Sequence, residues 1–246
     1  LAVESRGFVV ANRESLTKMC GQLAELGAFG TEYERQAVHV AVREVALDLG
    51  IVPASIHSLY SAIGRGTVNQ SFTVPAINVR AITYNTARGI FQAIDDLAVG
   101  AMIFELSRGE IGFTGQRPRE YVTSVLCAAI REGYSGPIFF QGDHFQISLS
   151  RYQEDAEAEV QAVERLIREA VAAGFYNIDV DTSTLVDLSY PTVSEQQRPN
   201  FELCSRLTQV CRDAEPDGIT ISVGGEIGEV GEHNTTVEEI DAFMQG

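Results

Sequence analysis

The sequence has no tryptophan, a single lysine (Lys18), four cysteines and little positive charge of any kind, with 18 Lys+Arg against 34 Asp+Glu and a net charge of −16. Each shortage excludes something. So acidic a chain is a poor partner for a nucleic-acid backbone or an anionic membrane surface, and an anionic small ligand would need a local arginine or a nest of backbone N–H groups. Cys20, Cys127, Cys204 and Cys211 form no C-x-x-C pair and lie in helix-like stretches, which predicts reduced thiols and a cytoplasmic setting. A lone lysine at position 18 leaves no amine among the strand-like runs, which argues against imine catalysis. There is no tract of about 18 consecutive apolar residues to span a membrane. The N-terminus lacks the basic start and apolar core of a signal peptide, and its first residue is Leu, so the numbering need not begin at the natural start.

What is present is a change of pattern. Residues 1 to about 66 read as helical throughout, in the stretches ESLTKMCGQLAELGAFG, TEYERQAVHVAVREVALDLG and PASIHSLYSAIG. Thr31 and Glu34 have capping-box spacing, Gly30 and Gly50 suit helix ends, and Pro53 suits a first turn. This N-terminal helical extension (1–66) is expected either to cover one end of the following domain (67–246) or to pair subunits.

From residue 72 short apolar runs alternate with amphipathic ones. The runs are 72–79, 101–106, 137–142, 176–181 and 219–224; the helical stretches lie near 84–98, 118–133, 152–174 and 197–214, with another opening at 235. Strands apolar on both faces belong to a parallel sheet covered by helices. Polar residues gather just past the strand ends: Asn78, Ser107, Asp143 with His144, Asp181 with Ser183, and Glu226. Convergence from many strands on one rim points to a (β/α)₈ TIM barrel over a doubly wound sheet, and no G-x-G-x-x-G follows the first strand. Residues 72–246 hold five βα units, whereas eight take about 200 to 400 residues, so the barrel is expected to be incomplete here, the chain being a piece of a longer one in preference to an open barrel or one completed by another chain.

The rim carries the chemistry. In QGDH (141–144), Gly142 would let the backbone turn so that both following side chains face one cavity. His144 offers an imidazole to a divalent metal and Asp143 a carboxylate able to act as base, although an Asp-His pair alone is more often an ordinary loop hydrogen bond. Glu226 sits in a glycine-rich turn after the last run, where a carboxylate serves metal or proton transfer, or simply faces water. Of Asp179 and Asp181, one is expected to point inward behind a ligating histidine and the other to cap a helix or face water.

Taken in order, TVPAINV, FELS, QGDH, DTSTL and GGEIGEVG resemble the class II, metal-dependent ketose-bisphosphate aldolases of fructose- and tagatose-bisphosphate type, from about residue 64 to 231. The resemblance implies a zinc-dependent lyase, with cobalt or manganese as alternatives, that cleaves a phosphorylated ketose to dihydroxyacetone phosphate and an aldehyde. It makes Asp143 the acid/base at the C4 hydroxyl, His144 the first metal ligand, Glu226 a proton-transfer group that also approaches the metal, Asp181 a carboxylate behind the metal, and Asn78 and Ser107 substrate contacts. It further implies a cytoplasmic homo-oligomer of carbohydrate metabolism. The family's other two zinc histidines and its phosphate loops belong to later strands; His233 is a weak substitute, and His39 and His57 read as packing or surface residues. Gln141-Gly142 replaces the family's more usual histidine-aliphatic pair. The alternatives are a non-catalytic aldolase-like subunit that stabilises an active partner, and a metal-dependent barrel enzyme of another substrate.

Overall fold

The computed structural model describes residues 2–4, 7–69, 71–228 and 234–246. Two three-residue strands, β1 (Ala2–Glu4) and β2 (Gly7–Val9), pair antiparallel and lead into an αα-hairpin of α1 (Arg13–Phe29) and α2 (Glu32–Asp48). Each hairpin helix starts where a polar side chain satisfies an otherwise orphaned N–H. Asn12 caps α1, and Thr31 with Glu34 forms the full capping box of α2.

The N-terminal region is not helical throughout. Ile51–Ala54 form strand β3, parallel to β6 (Gly136–Asp143), before the short helix α3 (His57–Gly64). The run is only four residues long and contains Pro53, which lacks an N–H and weakens any strand signal. Only the long-range pairing with β6 makes it a strand. Asn177 stitches β3 to the sheet: its Nδ2 donates to Phe140 O at 2.9 Å and Ala54 O at 3.3 Å, and its Oδ1 accepts from Ile56 N at 2.8 Å.

The remaining elements alternate: β4 (Ala76–Asn78), α4 (Thr83–Asp96), β5 (Ile103–Ser107), α5 (Arg108–Thr114), α6 (Pro118–Glu132), β6, α7 (Leu149–Glu154), α8 (Ala156–Ala173), β7 (Asn177–Val180), a 3₁₀ turn at Ser183–Leu185, α9 (Val193–Asp213), β8 (Ser222–Gly225) and α10 (Val237–Gln245). The sheet runs β4-β5-β6-β7-β8, every pair parallel, so strands consecutive in sequence are neighbours in space. Right-handed crossovers advancing in one direction place all connecting helices on one face, and α4, α6, α8 and α9 touch in succession. This α/β architecture, a parallel sheet backed by helices, is compatible with the wall of a barrel.

The main core fills the space between sheet and helices, around Phe104, Tyr121, Phe140 and Phe175, with ring centroids 5.7 to 6.4 Å apart along Phe104–Phe140–Phe175. Helix α6 is apolar all round, and every residue from Tyr121 to Ile130 is buried. Such a helix needs cover on all sides. It lies on the sheet, is flanked by α4 and α8, and is roofed by α1 and α2, so the hairpin forms a second helical layer over α6. The opposite face of the sheet has its own small cluster, Ile56, Ile103 and Phe139, where the β3–α3 segment covers the lower end. Cys20, Cys127, Cys204 and Cys211 are buried free thiols in helices, as the sequence predicts.

Candidate active site

Register places one polar residue from each of five strands at the same level: Asn78, Glu105, Gln141, Asn177 and Ser222. Side chains at one level of a parallel sheet share a face, so this rung floors the site. At the next inward-facing level stand Ser107 beside Asp143, and Asp179 beside Gly224. At that level β6 ends, and His144 takes a left-handed conformation with φ 44°. This differs from the expected role of Gly142. A Cβ on Gly142 would lie 2.5 Å from the ring of Phe145, so the glycine is required by close packing, and the histidine makes the turn.

The turn is held by two aspartates, Asp179 on β7 and Asp181 just past its end. His144 N donates to Asp179 Oδ2 at 3.2 Å, and His144 Nδ1 lies 3.2 Å from Asp181 Oδ2. Asp181 is nearly fully buried, and its other oxygen accepts from the N–H and hydroxyl of Ser183. A carboxylate oxygen accepting from Nδ1–H leaves the Nε2 lone pair for a ligand. Nε2 stands 3.8 Å from Asp143 Oδ1, and Asp143 Oδ2 accepts from Asn78 Nδ2 at 2.8 Å. Among the described residues, Asp143, His144 and Asp179 each present a ligand atom within 4.8 Å of the others.

So many acids around one imidazole distort its titration and theirs. Burial alone would lower the pKa of His144, but the bond to Asp181 and the charges of Asp143 and Asp179 outweigh it and hold the ring above its ordinary value. Asp179 is pushed up to about 6, first by burial and then by the charge of Glu226. Glu105 is pushed up to about 7 by burial, with Asp143, Asp179 and Glu110 adding repulsion. Glu226 is raised by burial and then by Asp181. Concentrated negative charge of this kind is relieved by a bound cation.

The residues singled out in the sequence fare unequally. Asp143, His144, Asp181 and Asn78 are connected as described. Glu226 lies near enough to repel Asp179, but its carboxylate is not one of the three converging groups; Asp179 takes that place. The Glu226 loop is anchored instead through its backbone, since buried Asn200 donates to Glu226 O at 2.9 Å and Ile227 O at 3.2 Å. Ser107 is on the rim, but its hydroxyl oxygen caps α5 by accepting from Glu110 N. His233 lies outside the described residues. His39 packs against Gly27 O, and His57 is exposed. Two participants were not singled out. Glu105 accepts from Gln141, and Glu110 accepts from both Asn78 and Arg80. The alternation Ile103, Glu105, Ser107 on β5 was the available sign that Glu105 faces the site.

Residues 108–242 match the family described as D-tagatose-1,6-bisphosphate aldolase subunit GatZ/KbaZ-like, a match over more than half of the chain. The chain belongs to that family. Its GatZ/KbaZ-like segment begins at the first residue of α5 and includes Asp143, His144, Asp179, Asp181 and Glu226, while Asn78 and Glu105 precede it. Membership relates the chain to tagatose-bisphosphate aldolases and to carbohydrate metabolism. No curated protein matches the chain.

Proposed function

We propose that the chain forms one side of a (β/α)₈ barrel and carries the acid/base and metal-binding rim of a class II aldolase acting on a phosphorylated ketose of tagatose- or fructose-bisphosphate type. The observation that carries the reading is the chain of contacts Asn78–Asp143–His144–Asp181, in which each functional atom has a partner that orients it.

The donors fit a divalent metal. His144 Nε2 is free because Nδ1 is engaged, Asp143 and Asp179 each present an oxygen within 4.8 Å of the other ligand atoms, and the pKa of Asp179 is raised first by burial and then by the charge of Glu226, both of which a bound cation would offset. One imidazole with carboxylates suits zinc, cobalt or manganese. When bound, the ion would supply Lewis-acid polarisation of the substrate carbonyl. The protein's own groups do the rest. Asp143, held by the Asn78 amide, takes the proton of the C4 hydroxyl as the C3–C4 bond breaks and the aldehyde leaves, and returns it in condensation. Glu226, its pKa raised, is suited to carry the proton that C3 then needs.

Metal content and retro-aldol rate measured together on the full protein test this. With metal supplied in excess, Asp143→Ala should lose at least about 100-fold in turnover, whereas His144→Ala, which removes the imidazole donor, should weaken metal retention the more of the two. A full rate in Asp143→Ala would sink the proposal. The family's description as an aldolase subunit favours a second reading, a non-catalytic subunit that stabilises an active partner. In that case Asp143→Ala would leave the rate of the assembled enzyme unchanged, while omission of the chain would lower it.

A further inference from the structure

The chain is strongly acidic, yet one groove is basic. A cavity of about 1150 Å³ opens beside the Asp143–His144 pair between α5, α7 and α8, and five arginines line it: Arg80, Arg108, Arg117, Arg151 and Arg165. The whole chain has 18 Lys+Arg, so more than a quarter of its positive charge faces one cavity. The acids lining the same cavity are Glu110, Asp143 and Glu169.

Three of the arginines are already engaged. Arg80 pairs with Glu110, Arg117 with Glu169, and the partly buried Arg108 is held between Glu159 and the carbonyl of Gln146. The side chains of Arg151, on α7, and Arg165, on α8, make no hydrogen bond or ion pair with any described residue. In a protein of net charge −16, two guanidinium groups with no hydrogen-bonded partner, on the wall of a cavity that contains a reactive carboxylate, are cations placed for a ligand, even though Arg151 also acts at longer range on Glu159.

We infer that Arg151 and Arg165 form an anion subsite that holds a phosphate monoester of the substrate, with the reacting carbons extending toward Asp143. A guanidinium fork matches phosphate oxygens in geometry as well as charge, and Arg108, locked by Glu159, fixes the floor of the groove without being free to bind. The identity of the phosphate carrier as a ketose rests on the aldolase reading above; the anion subsite itself does not.

The test uses the full protein treated with chelator, so that metal and turnover play no part. Binding of inorganic phosphate and, separately, of a ketose phosphate is measured by titration calorimetry at low salt for the wild type and for Arg151→Gln/Arg165→Gln. Arg168→Gln, which removes a charge from the same helix α8 outside the groove, is the control, and circular dichroism checks the fold of each variant. The double variant is expected to bind the ketose phosphate about 10- to 100-fold more weakly, with the control unaffected. Arg151→Lys/Arg165→Lys should recover part of the loss, because the charge returns without the fork. Binding of inorganic phosphate as tight as that of the sugar phosphate would identify a free-anion site and overturn the ketose-phosphate assignment. Equal loss in the Arg168→Gln control, or no loss in the double variant, would overturn the subsite. Because the readout is binding without catalysis, a failure of the aldolase reading leaves it interpretable. If the protein is catalytic, the KM for a phosphorylated ketose rises in the double variant by more than kcat falls.

Discussion

Glu105 shows how one residue acquires its chemistry from its neighbours. It is only 7% exposed, and its carboxyl faces Asp143 and Asp179 with a single amide donor, Gln141, at 2.7 Å. Its pKa rises from 4.5 to about 7, so between those values the folded state holds the proton more tightly than the unfolded chain. Stability therefore falls as pH rises through that window. Glu105→Gln keeps an acceptor for Gln141 and removes the charge. In urea unfolding with chelator present it is expected to stabilise the protein by up to about 3 kcal/mol at pH 8 and by little at pH 4.5. An equal effect at both pH values would show that the glutamate is not held neutral by the site. At this scale Asp143, His144 and Asp181 were legible in the sequence because they sit together at strand ends. Glu105 and Glu110 were not, because one joins the site through a register spanning three strands and the other through a helix cap.

At the scale of elements, the end of β6 is shaped by packing beneath it. Phe145 turns inward to the core and is fully buried, passing under Gly142, while its N–H bonds to Asp179 O at 3.0 Å. The ring lies where a side chain at 142 would have to be, and this fixes the left-handed turn at His144. Gly142→Ala is expected to cost about 1–3 kcal/mol in chemical denaturation, as overpacking of a filled core does, and to lower turnover by displacing His144. Adding Phe145→Leu should restore part of the stability by freeing the volume. A Gly142→Ala protein as stable as the wild type would refute the packing account. The five later strands and their helices were readable from alternating periodicity, with ends displaced by a few residues. Strand β3 was hidden because four residues containing a proline carry no periodicity of their own; only its partner β6 defines it.

For the whole molecule, the decisive feature is the layering: sheet, then the helices α4, α6, α8 and α9, then the α1–α2 hairpin. The hairpin covers α6, and Arg131 on α6 donates to Thr17 O across that contact at 3.0 Å. Deleting residues 1–49, which leaves β3 intact, should uncover apolar surface on α6 and either lower the thermal midpoint by about 10 °C or more or drive association visible by size-exclusion chromatography with light scattering. A truncated protein with an unchanged midpoint and mass would show that the hairpin is dispensable.

The sequence by itself determined the alternation of strand and helix, the reduced state expected of the cysteines, the exclusion of an amine nucleophile from the strand region, and the Asp143–His144 pair, because composition and short-range periodicity are local properties. Tertiary structure alone decided that Asp179 rather than Glu226 converges with that pair, that His144 and not Gly142 makes the turn, that Ile51–Ala54 is a strand, and that five arginines meet in one groove. Each of these depends on which distant segments share a level of the sheet or a wall of a cavity, and such proximity is set by packing over many residues rather than by neighbours along the chain.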